Sequence, residues 1–275
     1  MVDTRLEINM IGGGMQHSPS SSGFDPLYVK WIKGNHTAKV SFYIDYHIIT
    51  NPNPLTINYA FLHESKDINK GLYEWCADNI NFLERAYKRV FTHDISLLPL
   101  SNIFYLYKSG KSFISEKDAK IYPKTKLISI VASNKLLCPA HHYRAEIVQK
   151  FKDKCDLYGR GYNPIDDKLD ALKDYCFSIA MENGNYPNMV SEKISDCFMA
   201  GTIPVFYGID NIGDFYNEEG IIKLDKNFKV EDLSFDLYNS KIKAVKDNFN
   251  RAVNQLVIED YIYVTYLKND LQHNS

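Results

Sequence analysis

Glu182, Asn183, Glu192 and Lys193 stand in the stretch FSIAMENGNYPNMVSEKISDCFMAGTIPVFYG, Phe177 to Gly208, framed by apolar residues. A solvated loop would explain the charges, but neither their spacing nor that frame. FSIAMEN reads as a buried strand ending in Glu-Asn. SEKISDCFMAG reads as a helix with Ser191 as its N-cap and Gly201 as its stop, and TIPVFYG as the next buried strand. In an open parallel sheet, ligands sit outside the carboxyl ends of the strands, where the following helix begins. A helix N-terminus offers free N–H groups and a positive dipole to a phosphate. Lys193 adds a full charge suited to a diphosphate, and Glu192 a carboxylate that accepts from paired ribose hydroxyls. Asn183 can donate to a phosphate or a hydroxyl. The competing reading is a plain helix start, since a glutamate in the first turn favours the dipole whatever the function.

The elements that must position these residues follow from patterning. LEINMI reads as a short strand, followed by a loop rich in Gly, Ser and Pro. AKVSFYIDYHII is a strand, and TINYAFLHES a second one ending at His63-Glu64-Ser65. GLYEWCADNINFLERAY carries one helical pattern through Trp75, Ile80, Leu83 and Tyr87, and KRVFTHD is a strand after it. The polar segment Ser109 to Lys126 reads as a linker. Beyond it the pattern restarts: LISIVAS is a strand, HHYRAEIVQKF a helix, and CDLYGRG a short strand ending in a glycine turn. KLDALKDYCFSIAMEN reads as a helix running into a strand. Ile242, Val245, Phe249, Ala252 and Leu256 mark a long amphipathic helix. Strands alternating with helices imply parallel α/β sheets. The expected layout is 1–126 as one half, 127–238 as a second, and 239–275 as a closing helical segment.

Composition narrows the class. The chain of 275 residues carries 32 basic and 34 acidic side chains, net −2, so no global basic field points to nucleic acid. Twenty Tyr and fifteen Phe suit a core first and a carbohydrate or nucleotide site second. Five cysteines without a C-x-x-C pair argue against a disulfide framework and against zinc. The N-terminal residues lack the pattern of a signal peptide, and no apolar window reaches membrane-spanning length. The expectation is a soluble cytoplasmic protein.

Several signals carry little. There is no D-x-D, and Asp166-Asp167 reads as a helix cap. SGKS at Ser109–Ser112 lacks the upstream glycine of a phosphate loop, with Tyr105 in its place. His141-His142 as a metal pair fails because helix neighbours point apart. Gly12-Gly13-Gly14 would let backbone approach a sugar or phosphate, although a flexible loop is the preferred reading; Gly13 is its central residue.

FSIAMEN, then VSEKISDCFMAGTIPVFYG after a short spacer, resembles the donor-binding signature of the family 10 fucosyltransferases, the α-1,3/1,4 enzymes. Glu182-Asn183 match its E-N pair, Val190 to Lys193 its V-T-E-K, and Gly201 to Val205 its small-residue strand. CDLYGRG, Cys155 to Gly161, is similar to its V-D-x-Y-G strand, and ASNKLLCPAHHYRAEIVQKF to its S-N loop and Arg-bearing helix. The likeness runs over about Val131 to Asp225. It departs at Met189, where the family often has Tyr; Tyr186, three residues earlier, is the substitute.

The resemblance implies a GT-B fold: two Rossmann-like halves, an acceptor-side half over 1–126 and a donor half over 127–238, with a C-terminal closing helix. It implies inverting, metal-independent transfer of fucose from GDP-fucose to a glycan hydroxyl, with no cofactor. By the resemblance Lys193 and an Arg from the helix after Asn134 grip the pyrophosphate, and Glu192 binds ribose. Glu182, Asn183, Tyr186 and Asn134 complete the donor site. Without a gap His141 falls opposite the family's Arg, and with a small shift Arg144 does; the bidentate fork favours Arg144. Glu64 matches the strand-end carboxylate that acts as base, with His63 beside it as an understudy. The acceptor would be a lipopolysaccharide, oligosaccharide or glycoprotein glycan, handled by a bacterial or viral enzyme peripheral to membrane-linked glycan assembly. Two rivals stay open: an exostosin-like GT-B enzyme with another nucleotide sugar, and a non-catalytic nucleotide- or glycan-binding module.

Overall fold

A computed structural model describes residues 3–13, 21–35, 37–107 and 110–272; Gly14 of the glycine triplet and Ser109 of SGKS lie outside them. The first half is a six-stranded sheet built from β1 (Leu6–Ile11), β2 (Val29–Lys33), β3 (Val40–Ile44), β4 (Ile57–Phe61), β5 (Arg89–Thr92) and β6 (Phe104–Leu106). Its order is β2-β1-β3-β4-β5-β6 and every pairing is parallel. Helices α1 (Leu72–Asp78) and α2 (Ile80–Ala86) connect β4 to β5. One continuous helix was expected there. Asn79 breaks it by turning its side-chain amide back to the Trp75 carbonyl at 2.8 Å, a local bond that competes with helix propagation.

The second half is a five-stranded, all-parallel sheet of order β11-β10-β9-β7-β8. Its strands are β7 (Lys126–Val131), β8 (Asp156–Tyr158), β9 (Tyr175–Met181), β10 (Ile203–Tyr207) and β11 (Ile222–Lys223). Helix α3 (Pro139–Phe151) links β7 to β8, and α4 (Glu192–Met199) links β9 to β10. The helix expected before β9 is only a 3-10 turn, Lys168–Ala171, started by Asp167, which accepts from the Leu169 N–H at 2.8 Å. As the chain turns into β9, the Leu172 carbonyl accepts from the Thr202 hydroxyl at 2.7 Å and from the Tyr175 N–H at 3.1 Å.

Each sheet is covered on both faces, which explains why β3 and β9 are buried along their whole length. One face of the second sheet packs Ile130, Phe177, Ile179 and Val205 with Ile147 and Phe151 of α3. The other packs Ala180 and Phe206 with Ile194, Phe198 and Met199 of α4. The five cysteines are free and buried.

The closing segment has two parts. After α5 (Phe235–Ser240), α6 (Ile242–Asn254) lies beside α4 in the second half. The chain then crosses to the first sheet as α7 (Ile258–Ile262), a π-helical turn (Tyr263–Leu267) and α8 (Lys268–Gln272). Three buried acids fasten it there. Glu259 accepts from the Trp31 indole at 2.8 Å, Asp260 from the Leu27 and Tyr28 N–H groups at 2.8 and 3.0 Å, and Asp270 from Arg89. Among the described residues, no helix is long and apolar enough to cross a membrane.

Candidate active site

In the second sheet the strand order reverses between β7 and β9, so the ligand crevice of this fold lies between the loops that leave those two strands. The loop after β7 carries Asn134 and leads into α3 with His141 and Arg144. The loop after β9 carries Glu182, Asn183 and Tyr186 and leads into α4 with Glu192 and Lys193. The structure therefore brings the donor-side residues singled out by sequence to one crevice.

Glu182 is the keystone of that loop. Its side chain is fully buried and its carboxylate accepts from the Ser191 N–H (2.9 Å), the Ser191 hydroxyl (2.6 Å) and the Lys193 ammonium (3.3 Å). Ser191 caps α4 by accepting from the Lys193 N–H at 3.3 Å. Glu182 is thus committed to shaping the start of α4 and holding Lys193.

Lys193 lies between Glu182 and, at 4.0 Å, Glu192. Burial pulls its ammonium down, but these two carboxylates outweigh burial and raise it, so it stays charged. Glu192 is held from the other side by Lys168 at 3.0 Å. Burial alone would raise Glu192, yet Lys168 and Lys193 keep it well below the usual carboxylate range. Lys168 also pairs with Asp196 at 2.8 Å. Asp196 in turn accepts from the Ser112 hydroxyl (2.7 Å) and the Phe113 N–H (2.8 Å) of the linker. Lys168 and Asp196 were not legible in sequence, because their roles depend on partners 24 to 84 residues away.

Arg144 and His141 divide cleanly. The Leu137 N–H donates to His141 Nδ1 at 3.1 Å, so the ring proton sits on Nε2 and points to Asn183 Oδ1, 3.1 Å away. Burial, Arg144 and Lys193 lower its pKa, which favours this neutral form. Both nitrogens of His141 are used inside the protein, to orient Asn183. Arg144 is 7% exposed, and its Nη2 donates to the Ser133 hydroxyl at 3.1 Å. Its buried Nε has no hydrogen-bond partner among the described residues. A buried guanidinium with an unused N–H at a strand-end crevice fits an anion.

Asn134 is exposed and its N–H donates to the Arg160 carbonyl at 3.1 Å. Gly161 packs so closely on the Asn134 side chain that an added Cβ would meet it at 2.4 Å. Met189 is 9% exposed and packed among Ile194, Phe198 and Ile209, so the departure at this position falls in the core.

On the first sheet, β4 ends at Phe61 and not at Ser65, because the Leu62 N–H makes the last bond to β5, at Phe91. His63 and Glu64 then stand on the loop beyond it. Glu64 is half-buried, and among the described residues its carboxylate takes part in no hydrogen bond or ion pair. His63 has a buried Nδ1 without a partner among the described residues. Farther along this loop, Asp67 reaches Tyr186 of the other half; burial and this hydrogen bond push the phenol up to about 12. The loop bearing Glu64 therefore faces the loop bearing Asn183. Gly12 packs on β3, where a Cβ would meet the Ile44 carbonyl at 3.0 Å; Gly13 follows it, half-buried.

SGKS is not a phosphate loop in the fold. The Lys111 ammonium donates to the Ala252 and Val253 carbonyls near the end of α6 at 3.0 and 2.6 Å, where a cation complements the helix dipole. Among the described residues no three His, Cys, Asp or Glu side chains are grouped to hold a metal ion.

Residues 121–251 match the sequence profile of glycosyltransferase family 10 (fucosyltransferase), C-terminal part. This half of the chain is family 10-like. A stretch of 101 residues is 38% identical to a putative fucosyltransferase-like protein of Arabidopsis thaliana, covering 34% of this chain and 20% of that protein. An alpha-(1,3)-fucosyltransferase of Helicobacter pylori is 27% identical over 107 residues, 38% of this chain and 22% of the relative. The chain thus spans about a fifth of the length of the curated relatives it matches. A crystal structure of an alpha1,3-fucosyltransferase with GDP superposes over 100% of this chain and 93% of its own, with TM-score 0.51 and 13% identity. At that identity the likeness is one of fold: the family 10-like half and the half before it share the two-sheet GT-B architecture.

Proposed function

We propose that the chain transfers L-fucose from GDP-fucose to a hydroxyl of a glycan, with inversion at the anomeric centre. The observation that carries this reading is the crevice between β7 and β9. A buried Arg144 with an unused N–H, the Lys193 ammonium, the capped N-terminus of α4 and the Glu192 carboxylate converge there. Arg144, Lys193 and the positive end of the α4 dipole neutralise the diphosphate as it leaves. Glu192 accepts from ribose hydroxyls, and Asn183, oriented by His141, contacts the phosphate or sugar. Glu64 removes the proton of the attacking hydroxyl from the facing half, its carboxylate unclaimed among the described residues. In this division 1–126 binds the acceptor and 127–238 the donor. The acceptor is a lipopolysaccharide, oligosaccharide or glycoprotein glycan, and the protein acts as a cytoplasmic enzyme of glycan assembly.

The test is a thermal-shift panel of GDP, UDP, ADP, CMP and dTDP, on wild type and on Lys193→Ala. A ligand at 100 times its dissociation constant stabilises by about 2.7 kcal/mol, an easily read shift. GDP alone should stabilise, and the variant should weaken that response without abolishing it. Preference for another nucleotide keeps the donor site and discards fucose. No response to any nucleotide refutes the reading of the crevice.

A further inference from the structure

We propose that Asp45 is a positioning residue for Glu64, an inference that rests on the reading of Glu64 as the base. The order of the first sheet reverses between β1 and β3, and that is its switch point. Asp45 is the first residue after β3, directly beside the end of β1.

Its backbone is unusual. Asp45 has φ 52°, and Asn188 is the other non-glycine residue with positive φ among the described residues. An L-residue in this region is strained by about 1–2 kcal/mol, although Asp tolerates it better than most. Asp45 opens a 3-10 turn, Asp45–Ile49, whose N-cap is Ile44. Its carboxylate reaches to the loop after β4. One oxygen, Oδ1, accepts from both the His63 N–H (2.8 Å) and the Glu64 N–H (3.2 Å).

Those two groups are the first beyond β4 without a strand to bond to, since the Leu62 N–H makes the last ladder bond. On the other side of the same residue, the Glu64 carbonyl accepts from the Tyr73 hydroxyl at 2.6 Å. The Glu64 backbone is therefore fixed through both its N–H and its carbonyl, while its carboxylate stays unclaimed among the described residues. A general base needs this combination: an anchored main chain and a side chain whose lone pairs are free for the substrate proton. Asp45 supplies half of the anchoring, and its position at the switch point sets where Glu64 stands relative to the facing donor loop.

Two substitutions separate the parts of this argument. Asp45→Gly relieves the positive φ and removes the acceptor, so it should fold while releasing the loop. Asp45→Asn keeps an Oδ1 acceptor, tolerates the same backbone, and removes only the charge. With GDP-fucose and an acceptor glycan, Asp45→Gly should lower kcat about 10- to 100-fold with the donor KM within about twofold, as expected for a displaced catalytic group. Asp45→Asn should recover to within about fivefold of wild type. Hydrogen exchange of the amides of His63 and Glu64 should quicken in Asp45→Gly and remain protected in Asp45→Asn. Wild-type kcat in Asp45→Gly, or unchanged exchange there, overturns the assignment. An Asp45→Asn variant as slow as Asp45→Gly also overturns it, because the charge and not the acceptor geometry would then matter. Absence of transfer by the wild type would count against the fucosyltransferase reading instead, and the exchange measurement would still decide whether Asp45 holds the loop.

Discussion

Glu182→Ala should be among the most damaging single changes in the family 10-like half. The carboxylate has no exposed surface, and three donors converge on it: the Ser191 N–H, the Ser191 hydroxyl and the Lys193 ammonium. Removing one partner of a buried ion pair costs about 3–5 kcal/mol, because the other charge is left without compensation. Lys193 is 26% exposed, so water recovers part of this and the lower end applies, about 3 kcal/mol in all. For a chain of this size that corresponds to a fall in Tm of roughly 6 °C. The origin can be checked with the double variant Glu182→Ala/Lys193→Met. If the orphaned ammonium is the main cost, the double variant should recover about 1–3 kcal/mol relative to the sum of the single changes. Glu182→Gln keeps an acceptor for the Ser191 N–H but loses the charge that pairs Lys193, so it should melt between wild type and Glu182→Ala. A Glu182→Ala protein that melts with wild type, or a double variant with strictly additive loss, would refute the account of Glu182 as the group that holds α4 and Lys193 in place.

Other consequences are more compact. His93 is buried beside Tyr73 and Tyr107, and burial pushes its pKa down to about 4 from 6.5. Its neutral form is the folded one, so its contribution is intact above pH 6.5 and is lost as pH falls toward 4, by about 3 kcal/mol at most. Urea midpoints measured from pH 7.5 to 4.5 should fall more steeply for wild type than for His93→Gln; parallel curves would contradict this. Asp260→Ala leaves the Leu27 and Tyr28 N–H groups unpaired where the closing segment meets the first sheet, and should cost about 2–3 kcal/mol in denaturant titration while the GDP response is preserved. His141→Phe removes the bond that orients Asn183 and should weaken GDP-fucose more than GDP in competition binding, if Asn183 contacts the sugar.

The family 10-like half was legible in sequence because its signals are local. A strand ending in Glu-Asn, the Ser191 cap and the Gly201 stop at φ 69° each lie within a few residues of what they control. The first half was less so. β2 and β6 carry too few patterned residues to stand out, and a single side-chain bond from Asn79 splits a helix whose periodicity looked continuous. The site divides along the same line. Residue types at the crevice could be named in advance, but their partners could not. Glu182 turned from a ligand candidate into a buried anchor, and Asp45 acts across 18 and 19 residues on a loop that looked like strand.

The pairing of these charges bears on which cation matters most for a diphosphate. Around the start of α4, Lys168 and Lys193 face three carboxylates, Glu182, Glu192 and Asp196, so this cluster is acidic by one charge before any ligand arrives. An incoming diphosphate gains little from a lysine already neutralised on two sides. Arg144 is different: among the described residues it has no carboxylate within ion-pair distance, and burial opposes its charge, lowering its pKa. An anion that pairs with it relieves that cost, whereas an anion at Lys193 competes with Glu182. Arg144→Gln should therefore weaken GDP binding more than Lys193→Ala does, by about tenfold or more, as expected for losing a buried charge-assisted bond. Arg144→Gln should also raise thermal stability of the free protein slightly while Lys193→Ala lowers it. Calorimetric titration of GDP and melts of the ligand-free variants measure both. Equal losses of affinity, or an Arg144→Gln protein less stable than wild type without ligand, would show that Arg144 is held for structure and that Lys193 carries the diphosphate.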